Sequence, residues 1–195
     1  PDLFEYQNSH RPLSISIIKF IMHSILTGLS FLHEQGFMHR DLTATNILMN
    51  EKKHLVKICD FGLSKSLSEG PHTPKMCTLQ YSAPEVLIGS TIYNSKVDIW
   101  SCGVLFLELI LGYIPFNADS DLQLLRQQLE LLGTPDHQQW PELPQNIQLG
   151  SFKSKLNQLL PDNFDSNGID LIKKLLVFSP SLRISAKESL DHPFF

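Results

Sequence analysis

The sequence has little cysteine, no zinc-type ligand spacing and no block of charges of one sign. Its three cysteines, Cys59, Cys77 and Cys102, lie far apart and form no CxxC pair, which argues against a disulfide framework and favours a reducing compartment. The eight histidines form no HxxxH or Cys/His pattern, so we expect no structural zinc site. The net charge is −4, and its even distribution indicates neither a nucleic-acid partner nor a membrane surface.

Long apolar runs are also missing. No uninterrupted apolar run reaches the roughly 18 residues of a membrane span, and polar residues interrupt residues 1–30 too often for a signal peptide. Apolar residues make up 42% of the 195 residues and charged residues 18%, a balance that is ordinary for a globular fold and excludes a disordered chain. We expect one domain with one substantial core.

Hydrophobic periodicity predicts a mainly helical fold with one small β-hairpin. Apolar residues at three- and four-residue steps predict a helix over 14–35, which Ser14 would cap and Gly36 would end. Two short β-type runs at 47–49 and 55–59 predict the hairpin. Further helices are predicted over 95–111, 119–132, 166–178 and 185–191. Two segments, 60–85 and 135–165, are predicted to be irregular, and the second of them includes a short helix near 152–160.

Three short motifs follow one another along the chain. HRDL occupies residues 39–42 with Asn46 five residues after Asp41, DFG occupies residues 60–62 directly after the second hairpin strand, and APE occupies residues 83–85. Each motif alone also occurs as an ordinary turn or helix start. In this order, and in this helix–loop–hairpin context, they resemble the HRDLxxxxN, DFG and APE motifs of eukaryotic protein kinases.

The resemblance implies a fold and a chemistry. The expected fold is the protein-kinase-like C-terminal lobe over residues 1–195, a partial domain whose N-terminal lobe, with its Gly-rich loop, strand lysine and partner glutamate, is absent. The face that the missing lobe covers should then expose an apolar patch. The implied cofactors are ATP and Mg²⁺, with Asn46 and Asp60 on the metal and nucleotide. Asp41 would accept the proton of the substrate hydroxyl.

The resemblance also assigns supporting residues. His39 and Phe61 match the family's stacked internal column, which packs in the active arrangement. Asp98 matches the helix aspartate that binds the backbone of the catalytic loop. Glu85 and Arg183 match the family's buried ion pair, and removal of either partner would leave the other charge stranded.

The later part of the chain resembles the cyclin-dependent-kinase-like group. The runs VDIWS at 97–101, LGTP at 132–135 and RISAK at 183–187 fit this group, as does the final HPFF at 192–195. The run DSDL at 119–122 beside LGTP looks most like the branch that activates other cyclin-dependent kinases. The long segment after the third helix matches the group's insert, a site for partner proteins.

The resemblance further implies regulation by phosphorylation. Thr73 lies five residues before Thr78, which is the spacing of the activating phosphothreonine in this group. Arg40 would bind that phosphate, and Lys65 lies near a second phosphate-binding position, so a phosphate could order the loop through charge-assisted bonds. The alternative for Thr73 is a solvated Thr-Pro in a mobile loop.

Four positions depart from the family pattern. Thr43 replaces the lysine of Ser/Thr kinases and Thr45 replaces the arginine of tyrosine kinases, so neither usual cation near the γ-phosphate is present, and the barrier should be higher. Ser82 replaces the arginine that precedes Ala-Pro-Glu, and Gln80 lies where the group often has tryptophan. These two changes leave proline-directed specificity open.

Three functions remain to be compared. The leading hypothesis is a Ser/Thr protein kinase of cyclin-dependent type in cell-cycle or transcription control, located in the nucleus and/or the cytoplasm. It would act on a protein substrate and bind a cyclin-like activator. We expect the 195-residue chain alone to be inactive. The alternative is a pseudokinase scaffold that binds a cyclin-like or kinase partner, which Thr43, Thr45 and Ser82 motivate. A plain helical interaction domain would require the three motifs to be coincidental.

Overall fold

The structure is a computed structural model that describes residues 1–72 and 78–195. Its helices are α1 (Leu3–Ser9), α2 (Ile15–Glu34), α3 (Pro84–Leu87), α4 (Lys96–Leu111), α5 (Asp121–Leu132), α6 (Leu156–Leu159), α7 (Ser166–Leu175) and α8 (Ala186–Leu190). The strands are β1 (Phe37–Met38), β2 (Ile47–Asn50), β3 (Leu55–Ile58) and β4 (Lys65–Ser66). β1 pairs antiparallel with β4, and β2 pairs antiparallel with β3. The prediction of a mainly helical fold with one small hairpin is confirmed.

Helix α2 has the caps that its sequence predicts. The Ser14 hydroxyl accepts a hydrogen bond from the Ile17 N–H, and Gly36 follows the last turn with a φ of +80°, a conformation that glycine adopts without a Cβ penalty. By length and composition alone α2 could cross a membrane. Lys19 and His23 interrupt its apolar residues, which is why a search for uninterrupted runs passes over it. Its inner face is buried in the core: Ile18, Ile21, Met22, Ile25, Leu26 and Leu29.

Helix α4 is apolar on every side and lies at the centre of the fold, where such helices belong. Residues from Val97 to Leu109 are all buried. A Cβ added to Gly103 would lie 2.8 Å from the side chain of Leu176, so α4 approaches the end of α7 too closely for any larger residue. Helix α4 ends at residue 111 as predicted, and Gly112 follows it with a φ of +79° and its N–H donating to the Glu108 carbonyl.

Short elements account for most differences from the predicted pattern. Helix α1 was not predicted, because seven residues are too few to show a helical period. The strands β1 and β4 are two residues each. β4 lies inside the segment 60–85 that was predicted to be irregular, and α3 begins at its end. Helix α5 begins two residues later than predicted because Ser120 caps it, and α7 ends at Leu175 rather than at residue 178.

The hairpin brings two chemically important positions to one end. Its register pairs Ile47 with Ile58, so Asn46, directly before β2, and Asp60, two residues after β3, project from the same end. The Cys59 N–H donates to the Asn46 carbonyl at 2.9 Å, which continues the pairing by one step. The open end of the hairpin therefore carries an amide and a carboxylate.

Candidate active site

The catalytic loop rests on a buried carboxylate from the first turn of α4. Asp98 is 1% exposed, and its two oxygens accept the N–H groups of His39 at 2.8 Å and Arg40 at 2.7 Å. His33 Nε2 also lies 2.8 Å from Asp98 Oδ2. A buried carboxylate with several donors is stable only while they stay in place, so Asp98 fixes the path of the loop. The contact with His33 had no signal in the sequence.

Asp41 lies in this loop with both carboxylate oxygens engaged by neutral donors. Asn46 Nδ2 donates to the Asp41 carbonyl at 2.8 Å and to Oδ2 at 3.1 Å. Thr78 donates to Oδ1 through its N–H at 2.9 Å and through its hydroxyl at 2.8 Å. The carboxylate is therefore fixed in orientation, and its remaining lone pairs can still accept a proton or a hydrogen bond from a hydroxyl group. Sequence reasoning missed Thr78, which contacts Asp41 across 37 positions of the chain.

Asp60 and Phe61 follow the hairpin at the same end. Asp60 has a φ of +60°, which is uncommon for a residue other than glycine and is typical of functional sites. Its Oδ1 accepts the Gly62 N–H at 3.2 Å, and the residue is exposed. The Phe61 ring packs edge-to-face on the His39 ring with centroids 5.2 Å apart, and His39 Nε2 lies 3.0 Å from the Cys59 carbonyl. The structure thus brings the two expected column residues together.

The oxygen atoms at this end fit a magnesium ion carried by a nucleotide. The Asp60 carboxylate is exposed, and Asn46 uses its amide nitrogen toward Asp41, which leaves the amide oxygen for a cation. Across residues 1–72 and 78–195, no group of three or more His, Cys, Asp or Glu side chains could enclose a metal. Magnesium commonly takes one or two protein ligands and completes its shell with phosphate oxygens and water, so the donor set suits Mg²⁺-ATP and not an all-protein cage.

Arg40 is buried in the catalytic loop. Its backbone has a φ of +73°, and it is 8% exposed. Its Nε donates to the Leu63 carbonyl at 2.6 Å, and its Nη1 donates to the Tyr93 hydroxyl at 3.2 Å. The guanidinium therefore joins the segment after DFG to the chain before α4.

The other residues of the expected phosphate site lie on the same segment. Lys65 pairs with Glu69 at 2.9 Å, and this hydrogen bond lowers the pKa of Glu69. His72 packs against Tyr93 with ring centroids 4.8 Å apart, and burial together with the positive charges of Arg40 and Lys65 lowers the pKa of His72. Thr73 lies outside the described residues, so its role as a phosphorylation site stays a prediction.

Glu85 and Arg183 meet in the core as a two-pronged ion pair. Nη1 and Nη2 of Arg183 lie 2.9 Å from the two carboxylate oxygens of Glu85, and the residues are 1% and 5% exposed. Arg183 also donates to three backbone carbonyls, those of Lys96, Val177 and Phe178. The pair connects α3 to the segment between α7 and α8 and so positions the APE end of the site.

A second buried carboxylate supports the chain after Thr78. The Tyr81 hydroxyl donates to Glu108 Oε2 at 2.6 Å, and Gln7 Nε2 donates to Oε1 at 2.5 Å. Burial raises the pKa of Glu108, and burial with the neighbouring Glu108 raises the pKa of the Tyr81 phenol. Sequence reasoning missed this network, although a glutamate inside the apolar run of α4 is a signal that could have found it.

The positions that depart from the family pattern have partners of their own. Thr43 is 4% exposed, and its Oγ1 lies 2.9 Å from the Oγ1 of Thr45. Gln80 Nε2 donates to the Ala118 carbonyl at 3.4 Å. Ser82 is buried, and its carbonyl accepts a hydrogen bond from Gln128 Nε2 at 2.9 Å. The side chains of Thr43, Thr45 and Gln80 and the backbone of Ser82 thus have hydrogen-bond partners within the fold.

An exposed apolar groove lies between α2 and β3. Phe31 is 66% exposed and Phe61 52%, and both line a groove of about 450 Å³ that Val56 and Ile58 continue. Exposed aromatic side chains of this size are typical of surfaces that bind other chains or ligands.

Comparison with known proteins agrees with the geometry. The family described as protein kinase domain matches residues 1–195. Cyclin-dependent kinase B2-1 of Oryza sativa subsp. japonica is 38% identical over 204 residues, which cover 100% of this chain and 62% of that protein. Cyclin-dependent kinase B2-1 of Arabidopsis thaliana is 38% identical over 196 residues, which cover 97% of this chain and 62% of that protein.

A further relative extends the same pattern. Cyclin-dependent kinase B1-1 of Arabidopsis thaliana is 37% identical over 205 residues, which cover 100% of this chain and 66% of that protein. The chain thus spans about 62% of the length of the first two curated relatives that it matches. The chain belongs to the protein kinase domain family and is similar, within it, to cyclin-dependent kinases.

Proposed function

We propose that the chain is the C-terminal lobe of a Ser/Thr protein kinase of cyclin-dependent type, which transfers the γ-phosphoryl group of Mg²⁺-ATP to a protein hydroxyl. The observation that carries the proposal is the contact set of Asp41, whose two oxygens are fixed by Asn46 and Thr78 at 2.8–3.1 Å. Phosphoryl transfer depends more on positioning and charge neutralisation than on covalent catalysis. The Asp41 carboxylate, which is fixed in orientation, can supply the positioning.

Each residue of the site has one task in this proposal. Asp41 accepts the hydrogen of the substrate hydroxyl and aims its oxygen at the phosphoryl group. Asn46 and Asp60 hold the magnesium ion, which when bound neutralises phosphate charge. Asp98 keeps the backbone of the loop in place by accepting the N–H groups of His39 and Arg40. Phe61 on His39 connects the metal end to the catalytic loop.

The wider biology follows from the same resemblance. The relatives are named cyclin-dependent kinases, which supports a cyclin-like activator, a protein substrate and a role in cell-cycle or transcription control, in the nucleus and/or the cytoplasm. The three motifs and the mainly helical fold support the C-terminal lobe. A pseudokinase scaffold is not favoured, since Asp41, Asn46 and Asp60 are all present and brought to one end of the hairpin.

A kinase assay on the full-length protein tests the proposal. Wild type, Asp41→Asn and the exposed-surface control Asp162→Asn are compared on a peptide from a cyclin-dependent-kinase activation loop and on a generic basic Ser/Thr peptide. We expect phosphorylation by wild type and Asp162→Asn and its loss in Asp41→Asn. Wild-type phosphorylation no higher than that of Asp41→Asn, with or without candidate cyclins, would refute the proposal.

A further inference from the structure

His72 is a buried histidine that joins the segment after DFG to the chain before α4. It is 7% exposed, and its N–H donates to the Thr91 carbonyl at 2.7 Å. Its ring packs on the Tyr93 ring with centroids 4.8 Å apart and an angle of 43° between the ring planes. A backbone hydrogen bond and a ring contact therefore hold residue 72 against residues 91–93, and neither contact is an ion pair.

Arg40 connects this contact to the catalytic loop. Its Nη1 donates to the Tyr93 hydroxyl at 3.2 Å, and its N–H donates to Asp98 at 2.7 Å. The Arg40 backbone directly precedes Asp41 and has a φ of +73°, a conformation that persists only where the surrounding structure fixes it. Because Tyr93 is one of the groups that fix Arg40, a displacement of Tyr93 should change the position of Asp41.

The charged groups around His72 favour its neutral form. Arg40 from the catalytic loop and Lys65 from β4 place positive charge near its ring, and Glu69 places negative charge there. Glu69 already pairs with Lys65 at 2.9 Å. Burial and the two cations together lower the pKa of His72. A proton on His72 would therefore add a further positive charge to a buried contact beside Arg40.

We propose that Tyr93 is a positioning residue for phosphoryl transfer, that His72 holds it against Arg40, and that this contact requires His72 to be neutral. This inference rests on the proposed function. When residue 72 is released from residues 91–93, the His72 ring titrates near its ordinary pKa of about 6.5. The contact is therefore fully formed above about pH 6.5 and is weakened as the pH falls below that value. A His72 that only stabilised the fold would leave the pH dependence of kcat unchanged.

The first measurement is kcat of the full-length protein between about pH 8 and about pH 5.5. His72→Phe keeps a ring against Tyr93 but cannot bind a proton, and His137→Phe at an exposed position is the matched control. Wild type and His137→Phe should lose about 3-fold to 10-fold more activity than His72→Phe, since one pH unit below the ordinary pKa changes the contact by at most about 10-fold. The titration of the nucleotide and the peptide is common to all three proteins and cancels in this comparison.

Tyr93→Phe tests the connection to Arg40. It keeps the ring that packs on His72 and removes the hydroxyl that accepts from Arg40. We expect kcat to fall by about 10-fold, as for one hydrogen bond to a charged group, with little change in KM for ATP or peptide. The additional loss of activity at low pH should disappear, as in His72→Phe. Tyr113→Phe, at a position that is 54% exposed, should match wild type in both respects.

NMR of labelled histidine rings in the full-length protein measures the contact independently of activity. His72 should titrate below the ordinary value of about 6.5. A pKa at or above that value would overturn the inference, and so would an active wild type whose pH profile matches that of His72→Phe. Either result leaves the proposed function intact. A wild type as inactive as Asp41→Asn would refute the proposed function, and with it the positioning role of Tyr93.

Discussion

Replacing Arg183 with methionine removes a guanidinium that is 1% exposed and lies 2.9 Å from both carboxylate oxygens of Glu85. Methionine fills much of the same space, but it leaves the Glu85 charge buried without its partner. It also removes the guanidinium donors to the backbone carbonyls of Lys96, Val177 and Phe178. Breaking a buried ion pair from one side costs about 3–5 kcal/mol, so we expect a loss of this size in the free energy of unfolding.

Urea denaturation measures this loss. Both tryptophans, Trp100 and Trp140, are fully buried, so their fluorescence reports the opening of the core. Arg183 lies over the Trp100 ring at 5.1 Å, and far-UV circular dichroism should therefore be followed in parallel. With a urea m value of about 2–3 kcal/mol per M for a chain of this size, the midpoint should fall by roughly 1–2.5 M.

Two further variants test the reasoning. Arg126 pairs with Glu130 on the surface of α5 and is 69% exposed, so Arg126→Met should change the free energy of unfolding by less than about 0.5 kcal/mol. The double variant Glu85→Leu with Arg183→Met should recover much of the single-variant loss, because no buried charge remains. A loss in Arg183→Met no larger than in Arg126→Met would refute the buried-pair argument.

Three other changes have definite expected results. Thr78→Val removes the hydroxyl donor to Asp41 Oδ1 and keeps the backbone N–H donor, and it should lower kcat by about 10-fold in the peptide assay. Gly103→Ala places a methyl group 2.8 Å from Leu176 and should cost about 1–3 kcal/mol in urea denaturation. Burial raises the pKa of Glu108, so the native state retains a proton that the unfolded state releases, and the free energy of unfolding should fall as pH rises above the ordinary carboxyl range. Glu108→Gln should make the free energy of unfolding less dependent on pH, as measured by urea denaturation at several pH values in and above the ordinary carboxyl range.

Strong local signals made much of the fold predictable. The helices α2 and α4 have long apolar periods and end at Gly36 and Gly112, both with positive φ, so their bounds were right to within one residue at most ends. Helix α1 has one cap and two turns, and its fixed position comes from the burial of Leu3 and Tyr6. Seven consecutive residues are too few for the sequence pattern to predict that burial.

The sequence also predicted the residues of the candidate site and some of their contacts, namely the His39–Phe61 packing, the Asp98 contact with the loop backbone and the Glu85–Arg183 pair. It did not predict the contacts that orient Asp41 and Tyr81. The motifs identified Asp41 and Asn46 because their spacing is local and fixed. Thr78 and Glu108 reach the site from distant parts of the chain, at Asp41 and at Tyr81 respectively. Such contacts depend on how α3 and α4 pack, which the three motifs do not encode, and the glutamate inside the apolar run of α4 was the one signal of them in the sequence.

The contacts of Asp41 change how the missing cation should be understood. From the sequence, Thr43 in place of lysine predicted a higher barrier, because no cation would lie near the γ-phosphate. In the structure, neutral donors from Asn46 and Thr78 orient the Asp41 carboxylate without a cation. What a cation would add is charge stabilisation of the phosphoryl group, which magnesium can supply in part. The substitution therefore predicts a slower enzyme and not an inactive one.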